Sequence, residues 1–327
     1  MISYCDYKAL QHNIDVVRTL APSCIPVVKG ALYGCGWHAA AIVAGQFPVV
    51  AVANLDDAYM LSDEGLSMEG RTILVLNGVH AGVHRKYAWS IVPVLPYSAA
   101  KDAAIGTRYA VFLQGGCNRI PVSREQLDSL LCAPEFVLIH GADYRQPVFE
   151  VDPYLRLAEG ATLSVGSGAN LGRDDSCPRV GMAFAGYSSG EISLDLSPVK
   201  HCTAKVISDE LVESEIGYGV PVSDLLSAAR MSTPHIYSVN IGHYDNLYAS
   251  HKNTRVYCRR RPDARVLLMT DTRLGAVSMN SSFIVSDTPL PYGSDVEILG
   301  PHVRADFLAN LHGTSTANIL RLGLQQP

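Results

Sequence analysis

The alternation of apolar and polar positions changes near Ile192. Before that residue, short continuous apolar runs alternate with segments of helical spacing, which is typical of parallel strands buried on both faces. Eight such strands with helices between them predict an α/β fold, a (β/α)₈ TIM-like barrel. The predicted strands are Ile25–Gly30, Val49–Asn54, Thr72–Asn77, Ile91–Leu95, Tyr109–Gln114, Phe136–Gly141, Thr162–Ser167 and Arg179–Gly186.

Three segments of the first part carry helical signals. Asp6–Leu20 precedes the first strand, and Leu55–Leu66 has apolar residues at helical spacing. Ser123–Leu131 opens with Ser123 followed by Gln126, the spacing of a capping box. We therefore expect helices at these three places.

The second part of the chain predicts a mainly-β domain. Its strands are expected at Ala204–Val206, Ile236–Ile241, Arg265–Met269, Gly275–Met279, Phe283–Ser286 and Val296–Leu299. A helix is expected at Arg304–Leu311 and another after Gly313. We predict a barrel domain over residues 1–195 and a C-terminal β domain over residues 196–327.

Composition narrows the classes of function. Of 327 residues, 48% are hydrophobic and 17% charged, with a net charge of −5, which suits a large core and argues against a nucleic-acid surface. The eight cysteines form no CxxC pair, so neither a zinc site nor a disulfide framework is indicated, and a reducing compartment is expected. With no signal-peptide pattern and no long apolar run, we expect a cytoplasmic protein without a membrane span.

An ordered set of segments resembles alanine racemases, which are fold-type III enzymes dependent on pyridoxal 5′-phosphate (PLP). Residues 27–36, VVKGALYGCG, resemble the PLP-attachment segment of that family, usually VVKANAYGHG. The other matching segments are Asp6–Arg18, Val52–Gly65, Thr72–Leu76, Arg179–Met182, Gly217–Gly219, Val277–Met279 and Gly313–Thr314. They span nearly the whole chain in the family's order. The resemblance implies a PLP-binding barrel, a small amino-acid substrate and a head-to-tail homodimer.

The resemblance also implies the proton-transfer groups. Lys29 lies at the end of the first predicted strand, where barrels place catalysis, and a lysine there can form a Schiff base with an aldehyde cofactor. Racemisation needs bases on both faces of the α-carbon. Lys29 is expected on one face and Tyr218, from the partner subunit, on the other. His140 resembles the histidine that links to this tyrosine, with Arg179 behind it.

The remaining expected site residues hold the cofactor and the substrate. Arg179 resembles the arginine that faces the pyridine nitrogen, and because arginine stays protonated it leaves that nitrogen unprotonated. Glycine-rich backbone suits a phosphate cup, and we expect one from Gly166 to Gly168, including Ser167, and at Gly181 and Met182. The resemblance adds Tyr33 for the phosphate, Arg119 for the cofactor and substrate carboxylate, and Met279 for the substrate pocket.

Four positions depart from the family pattern. Phe112 stands where a lysine is usual, His243 where a tyrosine is usual, Asn280 where an aspartate is usual, and Gln325 where a phosphate-contacting tyrosine is expected. We interpret the chain as a divergent racemase acting on alanine or a related small amino acid. Two alternatives remain open: a PLP-dependent decarboxylase of the same fold, although no CDG-type segment lies between residues 271 and 296, and a non-catalytic PLP-binding protein.

Overall fold

The computed structural model describes residues 1–77, 90–114, 121–140, 160–166, 168–172, 174–188, 193–211, 215–216, 220–247, 254–269 and 276–322. The chain divides into two compact units. One comprises residues 7–197, and the other combines residues 1–6 with residues 198–327. Within the described ranges, no helix is long and apolar enough to cross a membrane.

The unit of residues 7–197 is built on parallel strands. Their bounds are β2 Ile25–Pro26, β3 Val49–Val52, β4 Thr72–Val75, β5 Ser90–Pro93, β6 Ala110–Gln114, β7 Phe136–His140, β8 Thr162–Gly166 and β9 Cys177–Val180. The hydrogen-bonded orders are β2-β9-β8-β7-β6 and β3-β4-β5. Isolated parallel bridges join Val27 to Ala51 and Val94 to Ala110, so each sheet contacts the other at both of its edges.

The right-handed helices described in this unit are, in chain order, Tyr7–Leu20, Trp37–Gly45, Leu55–Asp63, Tyr97–Ala100 and Arg124–Asp128. The first, third and last lie where the sequence predicts helices, with shorter bounds, and the other two were not named from the sequence. Asn54 caps the third of these through its side chain, and Ser123 with Gln126 forms the predicted capping box on the last. Both local signals therefore mark helix starts in the structure.

Both faces of the parallel strands are buried, as their continuous apolar runs predict. One face forms a core that includes Leu74, Val92, Phe112 and Leu138. The opposite face of β6–β8 packs with helix residues such as Leu127. Two predicted strand bounds were wrong, because β2 ends at Pro26 and the segment after Val180 turns back on itself rather than continuing to Gly186.

The other unit is built on an antiparallel sheet. Its strands are β1 Ile2–Cys5, β10 Lys200–Lys205, β13 His235–Val239, β14 Thr254–Cys258, β15 Val266–Met269, β16 Ser282–Ser286 and β17 Asp295–Leu299, and β11 Glu215–Ile216 and β12 Val220–Pro221 form a short hairpin. The strand order in the sheet is β1-β10-β17-β14-β15-β16-β13. Helices Val222–Ala229, Ala305–His312 and Thr316–Ile319 accompany the sheet. The strand predicted at Gly275–Met279 was wrong where it is described, because only Val277 makes a bridge there, to Ser282.

Candidate active site

Lys29 is the first residue beyond the hydrogen-bonded end of β2. The Val27 N–H donates to the Val180 carbonyl at 2.6 Å, and the Val28 N–H donates to the Ala51 carbonyl at 3.0 Å. The pairing therefore extends through Val28, and the lysine leaves the sheet at the carboxyl end of its strands. Its Nζ lies 5.8 Å from the centre of the Tyr33 ring.

The backbone after Lys29 forms a left-handed helical turn. Gly30, Ala31, Leu32 and Tyr33 all have φ between +53° and +57°. Only glycine adopts this conformation without a steric penalty, and each other residue costs about 1–2 kcal/mol, or about 3–6 kcal/mol for the three. The surrounding fold must supply this free energy, so the position of Tyr33 relative to Lys29 is set by tertiary structure.

Tyr33 returns from this turn onto Gly181. A Cβ placed on Gly181 would lie 2.5 Å from the Tyr33 hydroxyl oxygen and 2.9 Å from its Cζ. Only a residue without a side chain therefore allows the phenol to approach the backbone just after β9. The Tyr33 hydroxyl and the Gly181 backbone therefore lie next to each other at the end of β9.

His140, Gly166 and Arg179 form one row across β7, β8 and β9. His140 pairs with Gly166, and Gly166 pairs with Arg179, in parallel register. A Cβ on Gly166 would overlap the His140 Nδ1 and lie 2.8 Å from the Arg179 Nη2. The glycine between them thus makes room for imidazole and guanidinium to meet above the sheet.

Arg179 is buried, with 4% of its surface exposed, and its orientation is fixed by backbone acceptors. Its Nη1 donates to the Ser164 carbonyl at 2.6 Å, and its Nη2 donates to the Ile139 carbonyl at 2.8 Å. Its Cζ also lies 5.7 Å from the centre of the Phe112 ring, within the range of a cation–π contact. Phe112, one of the departures from the family pattern, therefore packs against the site arginine.

Gly168 and Met182, two of the predicted cofactor-binding residues, lie in turns that follow these strands. Gly168 begins a short 3₁₀ turn that ends at Asn170, whose Nδ2 donates to the Gly166 carbonyl at 2.9 Å. Met182 lies in the turn after β9, where the Phe184 N–H donates to the Gly181 carbonyl. Both turns leave the carboxyl ends of their strands, the same end as Lys29.

His243 and Met279 lie side by side in the β unit. The His243 N–H donates to the Ser278 carbonyl and the Tyr244 N–H to the Met279 carbonyl, each at 2.9 Å. Met279 is 62% exposed. These backbone hydrogen bonds join the segment that carries His243 to the segment that carries Met279 and the exposed Asn280.

Four positions singled out from the sequence lie outside the described residues. They are Arg119, Ser167, Tyr218 and Gln325. The sequence reasoning did not name Asp57, a buried carboxylate whose Oδ2 accepts a hydrogen bond from the Ala53 N–H at 2.9 Å. In the described part of the chain, no group of three or more His, Cys, Asp or Glu side chains has the arrangement of a metal site.

These features define a class of α/β protein with a lysine at the carboxyl end of parallel strands and a separate antiparallel β unit. Residues 5–105 match the family described as alanine racemase, N-terminal domain. No curated protein sequence matches the chain.

Solved structures show the same fold over the whole chain. The alanine racemase from Bartonella henselae with covalently bound pyridoxal phosphate is 19% identical, with a TM-score of 0.76, and the match covers 100% of this chain and 97% of that one. The biosynthetic alanine racemase from Pseudomonas aeruginosa is 21% identical, with a TM-score of 0.76, covering 99% and 96%. The histidine racemase from Leuconostoc mesenteroides subsp. sake is 19% identical, with a TM-score of 0.70, covering 99% and 96%.

Proposed function

We propose that this chain is a PLP-dependent amino-acid racemase that uses Lys29 and Tyr218 as its two bases. The observation that carries the proposal is the position of Lys29 at the carboxyl end of β2, beside Tyr33 and in the same parallel sheet as His140 and Arg179. The parallel bridges at both edges of the two sheets further support a closed (β/α)₈ barrel.

The residues present fit PLP. The cofactor supplies an aldehyde that joins an amine and a ring that accepts electron density from the α-carbon. Lys29 is the amine. Tyr33 and the backbone at Gly181, which a Cβ would fill, suit the phosphate, together with Ser167, Gly168 and Met182. Arg179 suits the pyridine nitrogen.

Arg179 has a defined electrostatic role in this proposal. Its two hydrogen bonds to carbonyl oxygens and its contact with Phe112 hold a guanidinium that remains protonated at working pH. A fixed cation cannot give its proton to the pyridine nitrogen, so less negative charge accumulates on the ring. His140 beside it adds a second nitrogen group with which to orient Tyr218.

Proton transfer then falls to Lys29 and Tyr218 from opposite faces of the substrate α-carbon. Arg119 is assigned to the substrate carboxylate, because arginine binds a carboxylate through two hydrogen bonds. Met279 is assigned to the substrate pocket. The fold is shared by alanine and histidine racemases, so we propose alanine or a related small amino acid and leave its side chain to experiment.

The first experiment tests the cofactor. Purified protein is incubated with PLP, reduced with borohydride and digested, and the pyridoxyl group is located by mass spectrometry. We expect one group, on Lys29, and none in Lys29→Ala. The exposed Lys101 provides the control, since Lys101→Ala should label like the wild type. Labelling spread over several surface lysines would contradict the proposal.

The second experiment tests the reaction on a panel of L- and D-amino acids with chiral analysis. We expect conversion of at least one small amino acid, lost in Tyr218→Phe. Release of CO₂ would indicate a decarboxylase, and PLP binding without any turnover would indicate a non-catalytic PLP-binding protein.

The third experiment tests a head-to-tail homodimer. Inactive Lys29→Ala and Tyr218→Phe proteins are unfolded together and refolded at equal concentration. If each site takes one base from each subunit, half of the dimers carry one intact site, and about a quarter of the wild-type activity returns. No recovery would argue that both bases come from one subunit.

A further inference from the structure

Asn170 is a buried polar residue that the proposed chemistry leaves without a role. It ends the short 3₁₀ turn after β8, and none of its surface is exposed. Polar side chains in turns usually face water, and burying a carboxamide is unfavourable unless its polar groups form hydrogen bonds. The complete burial of Asn170 therefore indicates a specific bonding role inside the unit of residues 7–197.

The side chain of Asn170 is bonded to the last residue of β8. Its Nδ2 donates to the Gly166 carbonyl at 2.9 Å. A carbonyl oxygen only accepts hydrogen bonds, so the nitrogen of the carboxamide, and not its oxygen, faces Gly166. The bond spans four positions and ties the turn Gly168–Asn170 to the end of its own strand.

The backbone that this hydrogen bond closes is rich in glycine. Gly166 and Gly168 both lie in it, and glycine has greater conformational freedom than any other residue. A site on such a backbone must order it, either on folding or when a ligand binds. A hydrogen bond that is made in the folded protein orders the backbone in advance, so less ordering is left to the ligand.

Both glycines belong to the site proposed above. Gly166 pairs with His140 on one side and with Arg179 on the other, and it makes room for both side chains. Gly168 is assigned to the phosphate of PLP. Asn170 thus bonds directly to one site residue and shares a turn with another.

We infer that Asn170 is a positioning residue that holds the turn Gly168–Asn170 against the end of β8 and so sets the affinity for a phosphate group there. The hydrogen bond itself requires no cofactor, and its consequence for PLP rests on the function proposed above. Asn170 is not assigned a contact with substrate or cofactor. It acts through the Gly166 carbonyl.

Tyr109 offers a matched control in the same unit. It is also fully buried, and its hydroxyl donates to a backbone carbonyl, that of Cys132. Tyr109 lies immediately before β6, at the opposite end of the parallel strands from the turn after β8. Tyr109→Phe therefore removes a side-chain hydrogen bond to a carbonyl without altering the carboxyl ends of the strands.

The first experiment uses the protein without PLP. Backbone hydrogen exchange of the peptide 166–172 is compared in wild type, Asn170→Ala and Tyr109→Phe. The net contribution of one hydrogen bond corresponds to about two- to tenfold in an equilibrium. We expect exchange at this peptide to quicken by about that factor in Asn170→Ala and to match the wild type in Tyr109→Phe. Equal exchange in the two variants would overturn the inference, as would faster exchange spread evenly over residues 7–197.

The second experiment compares PLP with pyridoxal, which has the same ring and aldehyde and lacks the phosphate. Both affinities are measured by absorbance titration of the purified protein. In Asn170→Ala we expect the affinity for PLP to fall about two- to tenfold and the affinity for pyridoxal to stay at the wild-type value. Tyr109→Phe should leave the ratio of the two affinities unchanged. If Asn170→Ala does not fold, Asn170→Leu fills a similar space without a donor and is judged by the same ratio.

The outcomes separate this inference from the proposed function. Equal losses of affinity for PLP and pyridoxal in Asn170→Ala would refute the positioning role, because an asparagine that only stabilises the fold would affect both. An unchanged PLP affinity would also refute that role and leave the function standing. If the wild type binds neither compound, the proposed function fails, and the hydrogen-exchange result alone decides whether Asn170 holds the turn.

Discussion

Gly166 offers a direct test of the row formed by His140, Gly166 and Arg179. The backbone of Gly166 does not have positive φ, so alanine fits the backbone and only its Cβ creates a conflict. That Cβ would overlap the His140 Nδ1 and lie 2.8 Å from the Arg179 Nη2. Carbon contacts are normally about 3.5–4.0 Å, so the guanidinium must move by at least about 0.7 Å.

The destabilisation by Gly166→Ala follows from what holds Arg179. Overpacking costs about 1–3 kcal/mol, and a buried hydrogen bond from a charged group that is stretched adds about 1–2 kcal/mol. The Nη2 of Arg179 donates to the Ile139 carbonyl at 2.8 Å and cannot move without lengthening that bond. We therefore expect a loss of about 2–5 kcal/mol in the free energy of unfolding.

The assay is urea unfolding together with PLP titration. The matched control is Gly45→Ala, because a Cβ there would meet only Leu66 Cδ1, at an ordinary 3.7 Å. Gly45 is the last residue of helix Trp37–Gly45, where alanine should stabilise by up to about 1 kcal/mol. The two substitutions should thus have opposite signs, and only Gly166→Ala should weaken PLP binding. Equal stabilities and equal PLP affinities would refute the packing of His140 and Arg179 over Gly166.

Three further predictions follow from described contacts. Phe112→Leu should lower the free energy of unfolding by about 1–3 kcal/mol. A double-mutant cycle with Arg179→Met should give a coupling free energy of about 0.5–2 kcal/mol between the two side chains. A coupling free energy near zero would refute the cation–π contact. Burial raises the pKa of the Cys24 thiol to about 12 and that of the Cys177 thiol to about 11. In the unfolded chain the same thiols ionise above about pH 8.5. Because ionisation then favours the unfolded state, the free energy of unfolding should fall between pH 9 and 11. This fall, measured by urea unfolding, should be smaller in Cys24→Ala. Ser123→Ala should lower stability by about 0.5–2 kcal/mol in the same assay through loss of the capping box.

The sequence predicts the parallel strands well because their signal is local. A strand that is buried on both faces must be apolar throughout, and each run is bounded by turn residues. The helix start at Ser123 is also local, since both partners of the capping box lie within four residues. In these places the information needed for the prediction lies in one short window.

The left-handed turn and the first strand could not be predicted in this way. The sequence predicts a strand at Ile25–Gly30, and nothing in Ala31, Leu32 or Tyr33 favours positive φ, which the surrounding fold imposes on them. β1 pairs with β10, so its partner lies at the other end of the sequence. The pairing of His140 with Gly166, and of Gly166 with Arg179, likewise depends on strand register, which composition does not set.

The pairing of β1 with β10 has a consequence for biosynthesis. Ile2 pairs with Thr203 and Cys5 with Lys200, so almost two hundred residues separate the two halves of this contact. At about 5–20 residues per second, a ribosome needs roughly 10–40 s to make the second half after the first. During that interval the nascent chain carries an unpaired strand edge, with Ile2 and Tyr4 on it, while the unit of residues 7–197 is completed. The β unit can therefore begin to assemble only after the lysine-bearing unit has been synthesised in full.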